Sequence, residues 1–234
     1  MAYKIHTPLF GILWLTGFLF AGAQPPAPAA RLNLIATENS TAGHYAQLYR
    51  HSLQKTYAYL NTLPPAAATP LRCVADDFVL LFDSMYRLQQ AGQPVLPHWK
   101  TFFETPVRNP QQAAFLGLTA HIHGDMWRVL TSRFGHDSIA RIGNDFLAMQ
   151  PVFNALFDSM YTTLLQFGRM RTLHCLTLGL AKPAGKIKLY HWRKRQWKMA
   201  LLHTRNPVRF GRKERACNRT MRRWNRFALR YLHA

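Results

Sequence analysis

Apolar side chains recur every three to four residues through most of the chain, which is the spacing of one face of an α-helix. In residues 40–63 the recurring positions are mostly tyrosine and leucine, and Pro64-Pro65 ends the run. Further runs with this spacing occupy residues 69–92, 110–135, 136–149 and 151–180. No segment shows the strict alternation of a half-buried strand. The pattern therefore predicts an all-α fold, a helical bundle of about five to six core helices.

One of these runs contains groups that can do chemistry. Within residues 115–127, the side chains His121, His123 and Asp125 interrupt an apolar stretch. On a strand all three would share a face, whereas a helix turns by about 100° per residue and separates them. Asn109-Pro110 is a typical helix start, so we predict a helix. His121 and Asp125 then face the core together, one turn apart, and His123 faces away.

A carboxylate at the edge of a helical core must be paired, hydrogen-bonded or bound to a cation. Asp125 could form a structural pair with His121, orient His121 as an acid–base catalyst, or share a metal ion with it. His121 and Asp125 are thus the candidate catalytic residues. A divalent metal such as zinc would need further ligands from other helices, and the available ones are Asp145, Asp77, His44 and His51.

The first 23 residues have the composition of a secretory signal peptide. An apolar run follows Lys4, and Ala21-Gly-Ala23 supplies small residues before Gln24. An uncleaved membrane anchor is the alternative, although the run is shorter than the ~20 residues of a spanning helix. We expect an exported protein, periplasmic or extracellular, with residues 24–39 as a Pro- and Ala-rich linker and residues 40–181 as the bundle domain.

Export would permit disulfide bonds, but the chain has only three cysteines. Cys73 and Cys175 both fall in predicted core helices and are the first pair to test. Buried free thiols are the alternative.

Positive charge is concentrated at the C-terminal end. The formal net charge is +20, and residues 182–234 contain 17 of the 30 lysines and arginines but only one acidic residue, Glu214. Basic and aromatic residues interleave there, as in amphipathic helices that bind anionic membrane surfaces. We predict a basic amphipathic extension that binds the phosphates of lipid or lipopolysaccharide. Nucleic acid is a less suitable partner for an exported protein. The alternative is a tail that packs on its own domain. The candidate contact residues are Lys186, Trp192, Arg193, Lys194, Arg195, Trp197, Arg222, Arg223, Trp224 and Arg226.

Several short motifs occur in a recognisable order: Tyr45-Ala-Gln-Leu-Tyr49 with Thr56, Phe82-x-x-x-Tyr86, Trp99 with Phe102-Phe103, Leu116 to Asp125, and Asp145-Phe146. Over residues 43–165 this order resembles a bacterial family known only as domain of unknown function 5995, DUF5995. The family's central pattern has asparagine where this chain has Thr119 and His123. The resemblance implies an all-helical fold and carries no established reaction.

A weaker likeness involves the helical His-x-x-x-Asp pair. It is similar to ligand strings of the secreted zinc-dependent phospholipase C and single-strand nuclease superfamily. This chain lacks the further histidine-rich repeats of that superfamily, and Gln24 stands where the superfamily has a ligating tryptophan.

Two hypotheses follow. The first is an exported helical protein that acts as a metal-dependent hydrolase of phosphoester or lipid-like substrates through His121 and Asp125. The second is a non-catalytic envelope-associated protein whose basic aromatic tail binds anionic membrane surfaces or another polyanion. The sequence contains no serine nucleophile motif, phosphate-binding glycine loop or dinucleotide fingerprint.

Overall fold

The computed structural model describes residues 27–232, in which helices follow one another and no strand occurs. The predicted signal peptide lies outside these residues. The helices are α1 Pro28–Ala36, α2 Thr41–Leu60, α3 Pro65–Gln90, α4 Pro97–Glu104, α5 Pro110–Ala120, α6 Met126–Arg133, α7 His136–Ala148, α8 Gln150–Leu164, α9 Gly168–Leu176, α10 Ala181–Arg205 and α11 Pro207–Tyr231. One π turn, His121–Asp125, joins α5 to α6 without a break. The predicted all-α class is confirmed.

Local signals explain where most of the helices begin. The side chain of Ser40 accepts a hydrogen bond from the amide of Gly43, and Asn109 accepts one from Gln112 at 2.8 Å. Such caps satisfy amide groups that have no partner inside the helix. Prolines occupy the first turn of several helices, where a missing N–H costs nothing. The start predicted at Asn109-Pro110 is therefore confirmed, whereas α3 begins at Pro65, earlier than predicted.

The long helix predicted for residues 151–180 is interrupted once and ends at Leu176. The chain turns after Leu164, and α9 begins only at Gly168. A second turn contains Leu178 and Gly179, both with positive φ. The apolar spacing continues across these turns, so periodicity alone did not reveal them.

Part of the predicted linker is folded. Residues 28–36 form α1, in which Leu32 and Ile35 are buried, and Arg31 forms an ion pair with Asp83 of α3 at 2.5 Å. The Pro- and Ala-rich composition suggested an extended segment, but this nine-residue helix has an apolar face that packs against α2 and α3.

The basic C-terminal segment is also part of the body. Helix α10 packs against α6, α7 and α8, and α11 packs against α5 and α10. Buried apolar residues run along both helices while most of the cations occupy the outer faces. The boundary predicted between residues 181 and 182 does not separate two structural units, because these helices complete the core.

The cysteines are unpaired. Cys73 is half-buried, Cys175 is exposed and Cys217 is buried, and all three are free thiols. The Cys73–Cys175 pair is therefore not bonded, and of the free thiols that the alternative expected to be buried only Cys217 is. Within residues 27–232 no helix has the length and apolar character needed to cross a membrane.

Candidate functional site

The π turn at His121–Asp125 is the centre of the site. A π turn has wider hydrogen-bonded rings than an α-helix and is often found at functional positions. Here it lies in the middle of the α5–α6 helix and is covered by neighbouring helices on several sides. The side chain of Asp125 is fully buried, while that of His121 keeps 14% of its surface exposed. The turn thus holds a carboxylate inside the core next to an imidazole at its edge.

Helix α4 supplies two partners for Asp125. The Nε2 atom of His98 lies 2.6 Å from Oδ1 of Asp125, and Nε1 of Trp99 donates to the same oxygen at 3.0 Å. On the other side, Nδ1 of His121 lies 3.5 Å from Oδ2. That distance and alignment leave both Oδ2 and Nδ1 without a well-formed hydrogen bond. Oδ1 of Asp125 is therefore hydrogen-bonded, whereas Oδ2 can still accept a hydrogen bond.

These neighbours control the charge of Asp125. Burial alone would raise its pKa, but the nearby His121 and His98 side chains lower it from an ordinary value of 3.8 to about 2. Groups that donate hydrogen bonds to a carboxyl group favour its ionised form. Asp125 is consequently a carboxylate that accepts hydrogen bonds.

Aromatic rings enclose the pair. Phe78 and Tyr49 have ring centroids 4.5 Å and 5.2 Å from that of His121. Burial and the charge of Asp125 raise the pKa of Tyr45, and burial, together with neighbouring acidic groups, raises that of Tyr49. Both tyrosines are hydroxyl donors, and the hydroxyl of Tyr49 has no partner. The site therefore has low polarity and unused hydrogen-bonding capacity.

Two glycines allow the helices to approach. A Cβ atom on Gly124 would lie 1.9 Å from the ring of His98, and one on Gly117 would lie 2.3 Å from the ring of Tyr45. Neither ring could stay where it is beside a larger residue. The glycines of the central run thus position His98 and Tyr45.

A cavity of about 310 Å³ adjoins His121. Its volume falls within the ~300–1,000 Å³ typical of ligand pockets. Helices α2, α3 and α5 to α11 contribute to its wall, which is mainly aliphatic and aromatic. The polar residues of the wall include Tyr49, Ser52, Thr56, His121 and Lys188. An apolar chamber thus has the histidine of the His121–Asp125 pair in its wall.

The predicted metal ligands do not assemble around this pair. Asp145 and His51 are exposed, and His44 is half-buried on α2. Asp77 forms an ion pair with Arg133. Across residues 27–232, no group of three or more His, Cys, Asp or Glu side chains could hold a metal ion. His121 and Asp125 are neighbours as predicted, but the residues present do not fit a metal centre.

The expectation that His123 faces outward is wrong. His123 is only 2% exposed, and its ring packs edge-on against Trp192, with centroids 4.8 Å apart. Burial, and secondarily the charge of Arg195, lower its pKa from 6.5 to about 4. The predicted solvent face is covered by α10, which the sequence suggested to be a separate extension.

The predicted surface-binding residues of α10 are partly inside the protein. Arg193 is fully buried, where it donates to Gln150 and to the carbonyl of Phe146 and lies over the ring of Phe153 at 4.0 Å. Trp197 donates to the carbonyl of Ile139. Burial lowers the pKa of Arg193 to about 9. Arg193 is therefore a core residue that cannot contact a membrane.

The other residues of that set differ in exposure. Trp192 and Trp224 pack against each other and line the cavity. Lys186 pairs with Asp158 at 2.7 Å, and Lys194 is half-buried. The exposed members are Arg195, Arg222, Arg223 and Arg226. Only these last cations match the expectation of a free basic surface.

His98 was missed as a partner of Asp125, although Trp99 is one of the family-like positions. They lie 27 and 26 residues before Asp125, and no local spacing connects them to it. The available signal was Pro97, which starts a short helix with a histidine and a tryptophan in its first turn.

Comparison with known proteins supports the family resemblance and extends it. The sequence model of a family described as a family of unknown function, DUF5995, matches residues 30–234. The match includes most of α1 and all of α10 and α11, in agreement with their packing on the bundle. Curated proteins and solved structures provide no match to this chain. The chain belongs to the DUF5995 family.

Proposed function

We propose that the protein binds a lipid-like molecule in the cavity and places the molecule's polar group beside His121. The observation that carries this proposal is a chamber of about 310 Å³ with a mainly apolar wall and a histidine in that wall. Apolar cavities of this kind are poorly hydrated and favour apolar ligands. The free hydroxyl of Tyr49 offers a further donor for a polar group.

The His121–Asp125 pair supports an acid–base role in the same place. Asp125 is ionised and lies 3.5 Å from Nδ1 of His121, so it favours the tautomer with a proton on that nitrogen. Nε2 of His121 is then free to take a proton from water. The reaction we propose is hydrolysis of an ester of a lipid-like substrate: water gives its proton to Nε2, attacks the carbonyl carbon, and the alcohol leaves with the proton.

This version uses no metal, because the side chains predicted as ligands are dispersed over the described helices. A phosphoester substrate, the alternative, would need positively charged side chains at the site to neutralise the phosphate. Lys188 and Arg193 line the cavity, but Arg193 is already bonded to protein oxygens. The geometry favours an uncharged ester over a phosphoester.

Binding can be tested by filling the cavity. Ser52 of α2 lies in the wall, so Ser52→Phe should weaken binding of a dansyl-labelled fatty acid at least about tenfold. Gln54→Phe adds the same ring at an exposed position of that helix and should leave binding unchanged. Fluorescence titration measures both. Equal affinity in the two variants, or no binding by the native protein, would contradict the proposal.

Chemistry requires a separate test. His121→Gln should slow hydrolysis of the p-nitrophenyl ester of a long-chain fatty acid by roughly 10²–10⁴-fold, because the proton acceptor is lost. Binding of the dansyl-labelled fatty acid should change little. A native protein that binds the fatty acid but does not hydrolyse the ester would limit the function to binding.

A second candidate function rests on the cations of α11. Arg219, Arg222, Arg223 and Arg226 line a shallow groove with Thr101 of α4. Such clustering supports contact with an anionic lipid surface or another polyanion. Replacing Arg222, Arg223 and Arg226 by glutamine should then remove salt-sensitive binding to anionic vesicles, measured by co-sedimentation. Unchanged binding would reject this surface as the contact.

A further inference from the structure

The corner between α9 and α10 contains most of the exposed large hydrophobic side chains of the described residues. Seven large hydrophobic side chains are exposed within residues 27–232, and five of them lie between residues 173 and 187. These five are Leu173, Leu176, Leu178, Leu180 and Ile187, with exposures from 39% to 90%. We call this set the leucine corner. Scattered single apolar residues need no explanation, but a cluster of this size indicates a partner.

The backbone gives an independent reason to expect a partner. Leu178 has a φ of 48° and is 90% exposed, and Gly179 follows with a φ of 79°. The left-handed region is unfavourable for leucine, whereas glycine or asparagine adopts it readily. In water this residue is disfavoured both by its conformation and by its exposure. A leucine at this turn is explained if its side chain contacts a binding partner.

The surrounding charge identifies the partner's chemistry. No acidic residue occurs between Asp158 and Glu214, and Asp158 pairs with Lys182 and Lys186. The cations close to the corner in sequence that have no carboxylate partner among the described residues are Arg169, Arg171 and Lys188, and all three are exposed. Exposed leucines flanked by cations match the interface of an anionic bilayer, where acyl chains receive the leucines and phosphates face the cations.

The corner is also the outer side of the cavity wall. Leu173 is both exposed and part of that wall, and Met170 beside it is buried against the cavity. On the α10 side, Ala181, Gly185 and Leu189 continue the wall. A Cβ atom on Gly185 would lie 2.2 Å from the ring of Phe157, so α10 approaches α8 closely there. Leu173 therefore belongs both to the exposed corner and to the wall of the cavity.

We propose that the leucine corner docks on an anionic lipid surface and is the point where a lipid-like molecule enters the cavity. The docking proposal rests on the exposed leucines, the left-handed backbone conformation of Leu178 and the positive charge around the corner. Entry through the corner rests in addition on the proposed function.

The docking experiment compares two double variants. L176Q/L178Q removes two leucines of the corner, and L34Q/V208Q removes two residues of similar exposure elsewhere. With vesicles of phosphatidylcholine containing phosphatidylglycerol, L176Q/L178Q should lose at least about tenfold in partitioning. L34Q/V208Q should bind like the native protein, and vesicles of phosphatidylcholine alone should bind all forms weakly. Equal losses in the two variants would overturn the proposal.

Cys175 provides a local probe because it is exposed within the corner, whereas Cys217 is buried. In a Cys73→Ser background, Cys175 is labelled with an environment-sensitive maleimide dye. The emission maximum of the dye should shift to shorter wavelength when the anionic vesicles are added, because the dye enters a less polar environment. A label that cannot react in the free protein would mean that the corner is already covered, by a second copy or by residues 1–26. That result, or an unchanged spectrum on vesicles, would overturn docking here.

The two proposals fail separately. Transfer of the dansyl-labelled fatty acid from anionic vesicles to L176Q/L178Q should be at least about tenfold slower than to the native protein, in line with its weaker docking. Its affinity for the free fatty acid should be unchanged. Docking without any fatty-acid binding would reject the proposed function and entry but leave docking in place.

If only R222Q/R223Q/R226Q loses vesicle binding, the arginine groove and not the leucine corner is the contact.

Discussion

His123 and Asp125 lie two residues apart on one π turn, yet their surroundings favour opposite charges. Asp125 meets His98, Trp99 and His121, and these groups keep it ionised. His123 meets Trp192 on a buried face, and its Nε2 atom has no hydrogen-bond partner. Its pKa of about 4 means that His123 is neutral in the folded protein at neutral pH. The turn thus separates a charged group from a neutral one.

This difference predicts a specific pH dependence of stability. The unfolded chain protonates His123 near pH 6.5, but the folded protein does so only near pH 4. Between these values the unfolded state binds more protons, so stability falls as the pH is lowered, by about 3 kcal/mol in total for this group. Asparagine does not titrate, so the stability of His123→Asn should fall less than that of the native protein between pH 6.5 and pH 4. Urea unfolding across the pH range measures it.

The native-minus-variant difference is the informative quantity. Other groups, including His203, whose pKa burial also lowers, titrate in both proteins and cancel. Asp125 has its pKa lowered, so its contribution to stability is lost only below its ordinary value of 3.8. Parallel curves for native protein and His123→Asn between pH 4 and 6.5 would show that His123 is not buried as described.

At the scale of single elements, α1 shows how tertiary contacts decide whether a short helix forms. A nine-residue helix is marginal by itself in water. Here Leu32 is fully buried, the Arg31–Asp83 pair reaches α3, and Gln47 of α2 donates to the carbonyl of Ala36. These contacts explain why a segment with linker-like composition is helical.

Two leucines on α1 make the test. Leu32 is completely buried and Leu34 is 67% exposed. Leu32→Ala should lower the free energy of unfolding by roughly 2–5 kcal/mol because it leaves a cavity in the core. Leu34→Ala should change it by no more than about 0.5 kcal/mol. Denaturant unfolding compares them, and similar small effects would mean that α1 does not belong to the cooperative fold.

For the whole molecule, the α5–α6 helix is the axis around which the other helices pack. Helices α2, α3 and α4 cover its Asp125–His121 side, and α10 and α11 cover the side of His123. Gln196 of α10 donates to the carbonyl of His123, and Thr119 hydrogen-bonds to Asn225 of α11. The basic helices therefore close the core while their charged faces remain outside.

A truncated chain should reveal this dependence. A protein ending at residue 181 exposes the apolar face of α5–α6, so we expect no cooperative unfolding transition. The full-length R222Q/R223Q/R226Q variant removes only exposed charges and should stay within about 0.5 kcal/mol of the native protein. Thermal unfolding followed by circular dichroism distinguishes the outcomes. Cooperative unfolding of the truncated protein would restore the view of a separable tail.

Features that depend on near neighbours in the chain were predictable. Apolar spacing of three to four residues identified the helical class, and Asn109-Pro110 identified the start of α5. The same spacing placed His121 and Asp125 side by side, one turn apart. These are local properties, because helix periodicity and capping involve residues within a few positions of each other.

Only the tertiary structure decided what those side chains meet. His98 reaches Asp125 across 27 residues, through a contact that Gly124 permits. Burial of His123 depends on α10, whose cations made it look like a surface element. Amphipathic helices of a basic segment can pack on a core or on a membrane with the same spacing, and which they do depends on the apolar surface available to them. The sequence by itself determined the helices and the His121–Asp125 pair; packing decided that the pair sits between an aromatic shell and an apolar cavity.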